Sequence, residues 1–164
     1  MKGRKLILLI SALVLPVAVF LFLKMFGRNE FRVPPLHQEG QITAPSECHY
    51  SYATPYTLPD SIADQLKIDN RDSLYVIGFD RKVDTVLKRV SREFAHAPVR
   101  LLPPVTFHDR SDLNVLQRCV LLMNPPASIV MVDHNRRIRG YYDASDRDEV
   151  DRLLVEIDII LKNY

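Results

Sequence analysis

Acidic residues are missing from the first 29 positions; all 20 lie from Glu30 onward. Five of the 22 basic residues lie at or before Arg28, so 17 basic residues face 20 acidic ones beyond it, a balance of −3 behind a formal net charge of +2. That balance argues against nucleic acid as a partner, because a phosphate backbone is gripped by a basic surface. Glycine is scarce, at 5 residues, and none forms a Gly-rich phosphate loop. Internal repeats and long low-complexity tracts are absent as well. Cysteine is limited to Cys48 and Cys119.

What the first third does contain is an uncharged run, Leu6 to Leu23, with Lys2, Arg4 and Lys5 before it and Lys24 and Arg28 after it. As a helix it rises about 27 Å, close to the thickness of a hydrocarbon core. A cleavable signal peptide has a shorter apolar core and a small-residue cleavage site. Phe20 to Phe26 offers no such site. The reading is therefore an uncleaved anchor in contact with the lipid bilayer through residues 6–23. The basic excess at the N-terminus leaves that end in the cytoplasm and exports the rest. The expected layout is a short cytoplasmic N-terminus (1–5), a transmembrane anchor (6–26), a Pro-rich linker and arm (27–60) and one compact domain (61–164). The expected location is the inner membrane, single-pass, with the domain on the periplasmic side.

In the arm, Pro34, Pro35, Pro45, Pro55 and Pro59 break any helix. His49 to Ala53 and Tyr56 to Leu58 read as short strands around a turn at Thr54-Pro55. Beyond it, Ser73 to Phe79 is a nearly continuous apolar run of strand length. Val83, Val86, Leu87, Val90 and Phe94 share one helical face. Val99 to Leu102 reads as a second strand, and a helix follows from near Ser111 to Met123. Ala127 to Asp133 and Ile138 to Tyr142 read as two further strands; their short connection makes them antiparallel neighbours. A last helix is capped by Ser145 or Asp146, with Val150, Leu153, Leu154, Ile157, Ile160 and Leu161 on its apolar face. Strand, helix, strand, helix, strand, strand, helix is an α/β order. It predicts a thioredoxin-like mixed sheet flanked by helices, with one N-terminal transmembrane helix.

The segment Val130-Met131-Val132-Asp133-His134-Asn135-Arg136-Arg137-Ile138-Arg139-Gly140-Tyr141-Tyr142-Asp143, followed by Asp148 to Leu154, resembles the C-terminal part of SCO/SenC proteins. These are membrane-anchored, thioredoxin-like proteins that assemble the copper site of cytochrome oxidase. The resemblance implies a cis-proline at Pro126, just before the third strand. Without it, Pro125-Pro126 simply ends a helix and begins a strand. It also implies a role in respiratory (cytochrome oxidase) assembly, with an oxidase subunit as protein partner. The family's C-x-x-x-C pair, however, falls on Phe79 to Thr85, which has no cysteine, and its copper-binding His falls on Asn124-Pro125-Pro126. Thiolates select copper(I), so the expectation is a non-catalytic protein with no catalytic, cofactor-binding or metal residues.

The alternative is a copper-binding or thiol-redox protein that uses Cys48 and Cys119. Pairing would close a long loop and stabilise the fold by about 4 kcal/mol in the chain-entropy account. Two separate reduced thiols are the other reading. Cys119 and Met123 share a helical face, as two sulfur ligands or as core. Cys48-His49 is a two-ligand candidate on the arm. His108, Asp109 and Ser111 suggest a base and a nucleophile, but a loop leading into a helix cap explains them equally. His37, His96 and His134 read as solvated. Arg136 to Arg139 reads as an exposed hairpin face, or as a contact for an acidic partner.

Overall fold

The computed structural model describes residues 2–26, 31–42, 45–48, 51–69, 71–102 and 110–162, less the side chains of some residues within the helices. The chain divides into two compact units, Met1–Phe31 and Arg32–Tyr164. The first holds α1, Lys2–Phe26, with Pro16 inside it and Lys24 in its last turn. Its side chains at residues 12–25 are all exposed. Among the described residues, no helix is long and apolar enough to cross a membrane. This corrects the expected transmembrane anchor over residues 6–26, the bilayer contact through residues 6–23 and the single-pass inner-membrane location.

The second unit opens with the arm and the short helix α2, Asp60–Gln65. It continues through β1 (Leu74–Gly78), α3 (Val83–Glu93), β2 (Val99–Leu102) and α4 (Arg110–Val115). The chain then widens into a π-helical segment, Leu116–Val120, before β3 (Ile129–Asp133), β4 (Ile138–Tyr142) and α5 (Arg147–Lys162). The sheet order is β2-β1-β3-β4, with β1 parallel to β2 and antiparallel to β3, and β3 antiparallel to β4. It is a mixed sheet flanked by helices, loosely thioredoxin-like in shape.

The two central strands are apolar at nearly every position because both their faces are covered. Tyr75 and Ile77 of β1 and Val130 and Val132 of β3 face a core shared with the arm, α2 and the π-helical segment. Leu74 and Val76 of β1 and Ile129 and Met131 of β3 face the other core, filled by Val83, Val86, Leu87 and Val90 of α3 and Val150, Leu153, Leu154, Ile157 and Ile160 of α5. Asp146 caps α5, its carboxylate accepting the Asp148 N–H at 2.9 Å.

The arm belongs to this unit and forms no strand at residues 51–58. It runs beside β4, where the Leu36 N–H donates to the Ile138 carbonyl at 2.7 Å and the Leu58 N–H to that of Arg136 at 2.9 Å. The β3–β4 register pairs Met131 with Gly140 and Val132 with Ile138, leaving Arg139 as an extra residue on β4. That bulge directs Arg139 to Asp133, the fully buried acid at the end of β3. Asp133 accepts the Arg139 Nε–H at 2.9 Å, the Arg137 Nε–H at 2.9 Å and the Arg137 backbone N–H at 3.0 Å. Arg139 also donates to the Val33 carbonyl of the arm at 2.6 Å. The expected exposed hairpin face is thus corrected: the Arg139 side chain is 10% exposed, and Arg136 pairs with Asp60.

A buried ion pair that loses one partner leaves an uncompensated charge, so Asp133→Ala is expected to lower stability by about 3–5 kcal/mol. Arg137→Ala, at a half-exposed side chain, is expected to cost about 1 kcal/mol. Urea unfolding of both variants checks this, and an Asp133→Ala loss no larger than that of Arg137→Ala contradicts it.

Candidate functional site

The arm meets the π-helical segment through a covalent bond. Cys48 and Cys119, 71 residues apart in sequence, form a disulfide with their Cα atoms 5.3 Å apart. Cys48 sits in a short turn whose backbone closes through its N–H to the Pro45 carbonyl at 2.9 Å, and it is half-buried. Cys119 is 3% exposed. The residues just before the two cysteines also pair, Arg118 with Glu47 at 2.6 Å.

The segment that carries Cys119 ends in an unusual way. The Leu121 N–H reaches back five residues to the Leu116 carbonyl at 2.8 Å, and the Met123 N–H reaches the Gln117 carbonyl at 2.8 Å. Leu122 adopts a left-handed backbone, φ 54°, which costs a branched residue about 1–2 kcal/mol. A helix end leaves carbonyls without intrahelical donors. Here three phenols supply the donors: the Tyr52 hydroxyl donates to the Cys119 carbonyl at 2.8 Å, Tyr56 to Val120 at 2.6 Å and Tyr141 to Leu121 at 2.7 Å. Burial pushes the Tyr141 phenol far above its ordinary value, with the neighbouring Tyr56 a lesser cause. It therefore stays protonated and donating.

His37 of the arm completes the group, its Nε2 lying 3.0 Å from the Tyr141 hydroxyl. The single hydroxyl proton of Tyr141 goes to Leu121, so the His37 nitrogen is the donor in this contact. Burial lowers the His37 pKa, which favours the neutral ring with its proton on Nε2. Gln38 fixes the same stretch of arm by donating to the Leu36 and Tyr56 carbonyls at 2.9 and 3.1 Å.

The other candidate residues lie apart from this join or do different work. Met123 is 3% exposed and part of the core, and with Cys119 in a disulfide the two offer no thiolate pair. His49, His108 and Asp109, and the side chain of Ser111, lie outside the described residues. His96 is exposed; His134 is half-buried, with its Nε2 3.0 Å from the Asn135 amide nitrogen. The Pro125–Pro126 peptide is cis, and Pro126 is exposed three residues before Ile129, where β3 begins. Among the described residues, no group of three or more His, Cys, Asp or Glu is placed to hold a metal ion. The phenol–carbonyl bonds went unread in the sequence. For Tyr52 and Tyr56 the sequence signal is tyrosine in a segment too proline-rich for regular structure, whereas Tyr141 stands in β4.

Two measurements test this join. Tyr56 is 6% exposed, so Tyr56→Phe leaves the Val120 carbonyl without a donor and is expected to cost about 1–3 kcal/mol. Tyr52→Phe, where water can replace the phenol, should cost less; denaturant unfolding with the disulfide intact compares them. As pH falls, the unfolded chain takes up the His37 proton before the folded one does. The His37 contribution is therefore complete above about pH 6.5 and declines as pH drops through the lowered folded value. Between pH 7 and 5 the wild type should lose more stability than His37→Gln, and equal losses would contradict the assignment.

No known protein family, curated protein or solved structure matches the chain. The SCO/SenC resemblance of residues 130–143 therefore has no support from these comparisons. The oxidase-assembly role and the respiratory partner inferred from it are set aside, together with the membrane anchor that α1 does not supply among the described residues.

Proposed function

We propose that the protein is a thiol–disulfide redox protein working through Cys48 and Cys119. The observation that carries this reading is the asymmetry of the bond, which joins a half-buried arm cysteine to a cysteine that is 3% exposed. An incoming thiolate reaches the arm side. Attack on the Cys48 sulfur forms a mixed disulfide, breaks the bond to Cys119 and releases Cys119 as a thiolate that then takes a proton. A second thiol of the same partner attacks the mixed disulfide and releases Cys48. The partner dithiol becomes a disulfide, and this chain gains two electrons and two protons. No cofactor enters the exchange.

The two redox states differ mechanically. Opening a 71-residue crosslink removes about 4 kcal/mol of constraint on the unfolded chain. The phenol–carbonyl bonds and the Arg118–Glu47 pair need no disulfide, and they can keep the arm in place while the sulfurs turn over. This separates an exchanging pair from a crosslink without which the arm leaves.

Two readouts test the reading. Equilibration with glutathione buffers should give a midpoint above about −300 mV, since structural disulfides lie below that range. Cys119→Ser, which keeps the Cys48 thiol, should react with glutathione disulfide about tenfold faster than Cys48→Ser, which keeps the buried thiol. Circular dichroism establishes that both variants are folded. A midpoint below the range, or equal rates in folded variants, reduces the bond to a structural crosslink.

A further inference from the structure

The neighbours of the disulfide are of two kinds. Glu47 and Arg118, the residues just before the two cysteines, are charged and answer one another at 2.6 Å. A charged group arriving there would have to separate them before it gained a contact. Val115 is apolar. It closes α4, four residues before Cys119 and three before Arg118. Its backbone is helical, φ −60° and ψ −46°, so the chain runs on from it into the π-helical segment without a break. Side chains three and four residues apart are neighbours on a helix surface.

Val115 is also exposed. Among the described residues of the second unit, Val115 and Val155 are the large apolar side chains left open to solvent, at 42% and 58%. A single exposed apolar residue is ordinary on a protein surface. Its place beside an exchanging bond gives Val115 a consequence that Val155 lacks. The π-helical segment packs on one face of the sheet and α5, which carries Val155, packs on the other.

We propose that Val115 is a specificity-determining residue for the disulfide exchange and selects partners whose reactive cysteine is flanked by aliphatic side chains. The inference rests on the redox reading and names a substrate class for it. In the exchange the partner thiolate bonds to the Cys48 sulfur, the Cys48–Cys119 bond breaks, and Cys119 leaves with the electron pair and then takes a proton. An aliphatic side chain laid on Val115 leaves water as the sulfurs meet, which stabilises the encounter without altering either sulfur. A polar side chain gains nothing from Val115 and finds Glu47 and Arg118 already paired with each other.

Two uncharged thiol peptides of nearly equal size, acetyl-Leu-Cys-Leu-amide and acetyl-Asn-Cys-Asn-amide, test it. Each is added in excess to the full-length oxidised protein, and loss of the disulfide is followed by acid quench, alkylation and mass measurement. The Leu peptide should react about tenfold faster, the scale of burying part of one aliphatic side chain. Val115→Ser should bring the two rates together, and Val155→Ser should keep them apart. Val115→Thr, which retains the branched shape, should also narrow the ratio and keeps the test open if Val115→Ser fails to fold. Dithiothreitol carries no such side chain and should reduce wild type and Val115→Ser at one rate. Equal peptide rates on wild type, an unchanged ratio in folded Val115 variants, or the same loss of ratio in Val155→Ser overturns the proposal. So does a dithiothreitol rate that changes as much as the Leu-peptide rate, because Val115 would then act on the exposure of the bond. Failure of the redox reading shows separately, as a glutathione midpoint in the range of structural disulfides whatever the peptide ratio.

Discussion

Asp133 takes a carboxylate to the end of the central strand β3, where no solvent reaches it. Removing such a group from water costs several kcal/mol, which only close and well-oriented partners offset. Arg137 and Arg139 are those partners, and satisfying the carboxylate sets the hairpin turn and the bulge on β4. Through Arg139 the same contact reaches the Val33 carbonyl and lays the arm along the sheet edge. That edge would otherwise expose unpaired backbone groups. The candidate site depends on this placement, because the arm that the arginines position delivers Cys48, Tyr52 and Tyr56 to the π-helical segment.

The join at that segment combines two kinds of bond with different sensitivities. The disulfide responds to the redox poise of the surroundings. The phenol–carbonyl bonds respond only to solvent competition and packing, and burial protects those of Tyr56 and Tyr141. One half of the join can therefore change state while the other maintains geometry. A protein that exchanges electrons repeatedly needs that division of labour, because an arm released at every turnover would have to be captured again.

Much of the domain was legible in the residues. The unbroken apolar runs at residues 74–78 and 129–132 belong to strands covered on both faces, and the spacing of Val83, Val86, Leu87 and Val90 matches the buried face of α3. Helix α2 escaped notice because six residues with Ala63 as the buried position give periodicity nothing to show. The arm was read as strands, yet it is held by side-chain bonds to carbonyls 64 and 67 residues away. Local pattern carries no trace of such partners. Arg139 was read as exposed because arginine is seldom buried unless paired, and its pairing depends on a bulge that alternation does not reveal. The two cysteines were readable as candidates, but their pairing depends on a Cα separation that composition cannot supply. The long apolar run at the N-terminus invited an inference about its surroundings that α1 does not sustain among the described residues.

The three phenols that close the π-helical segment all bind main-chain oxygen, at Cys119, Val120 and Leu121 in succession. Every residue type carries that oxygen, so the recognition is blind to the side chains displayed along the turn. It is acutely sensitive to count. One residue added or removed between Leu116 and Leu121 would swing each carbonyl about a quarter-turn around the axis and present none of them to its phenol. Drift in this lineage should therefore be barred from altering the length of the segment, while the choice of side chain is constrained only by the disulfide at Cys119 and by the core that Leu116, Val120 and Leu121 enter.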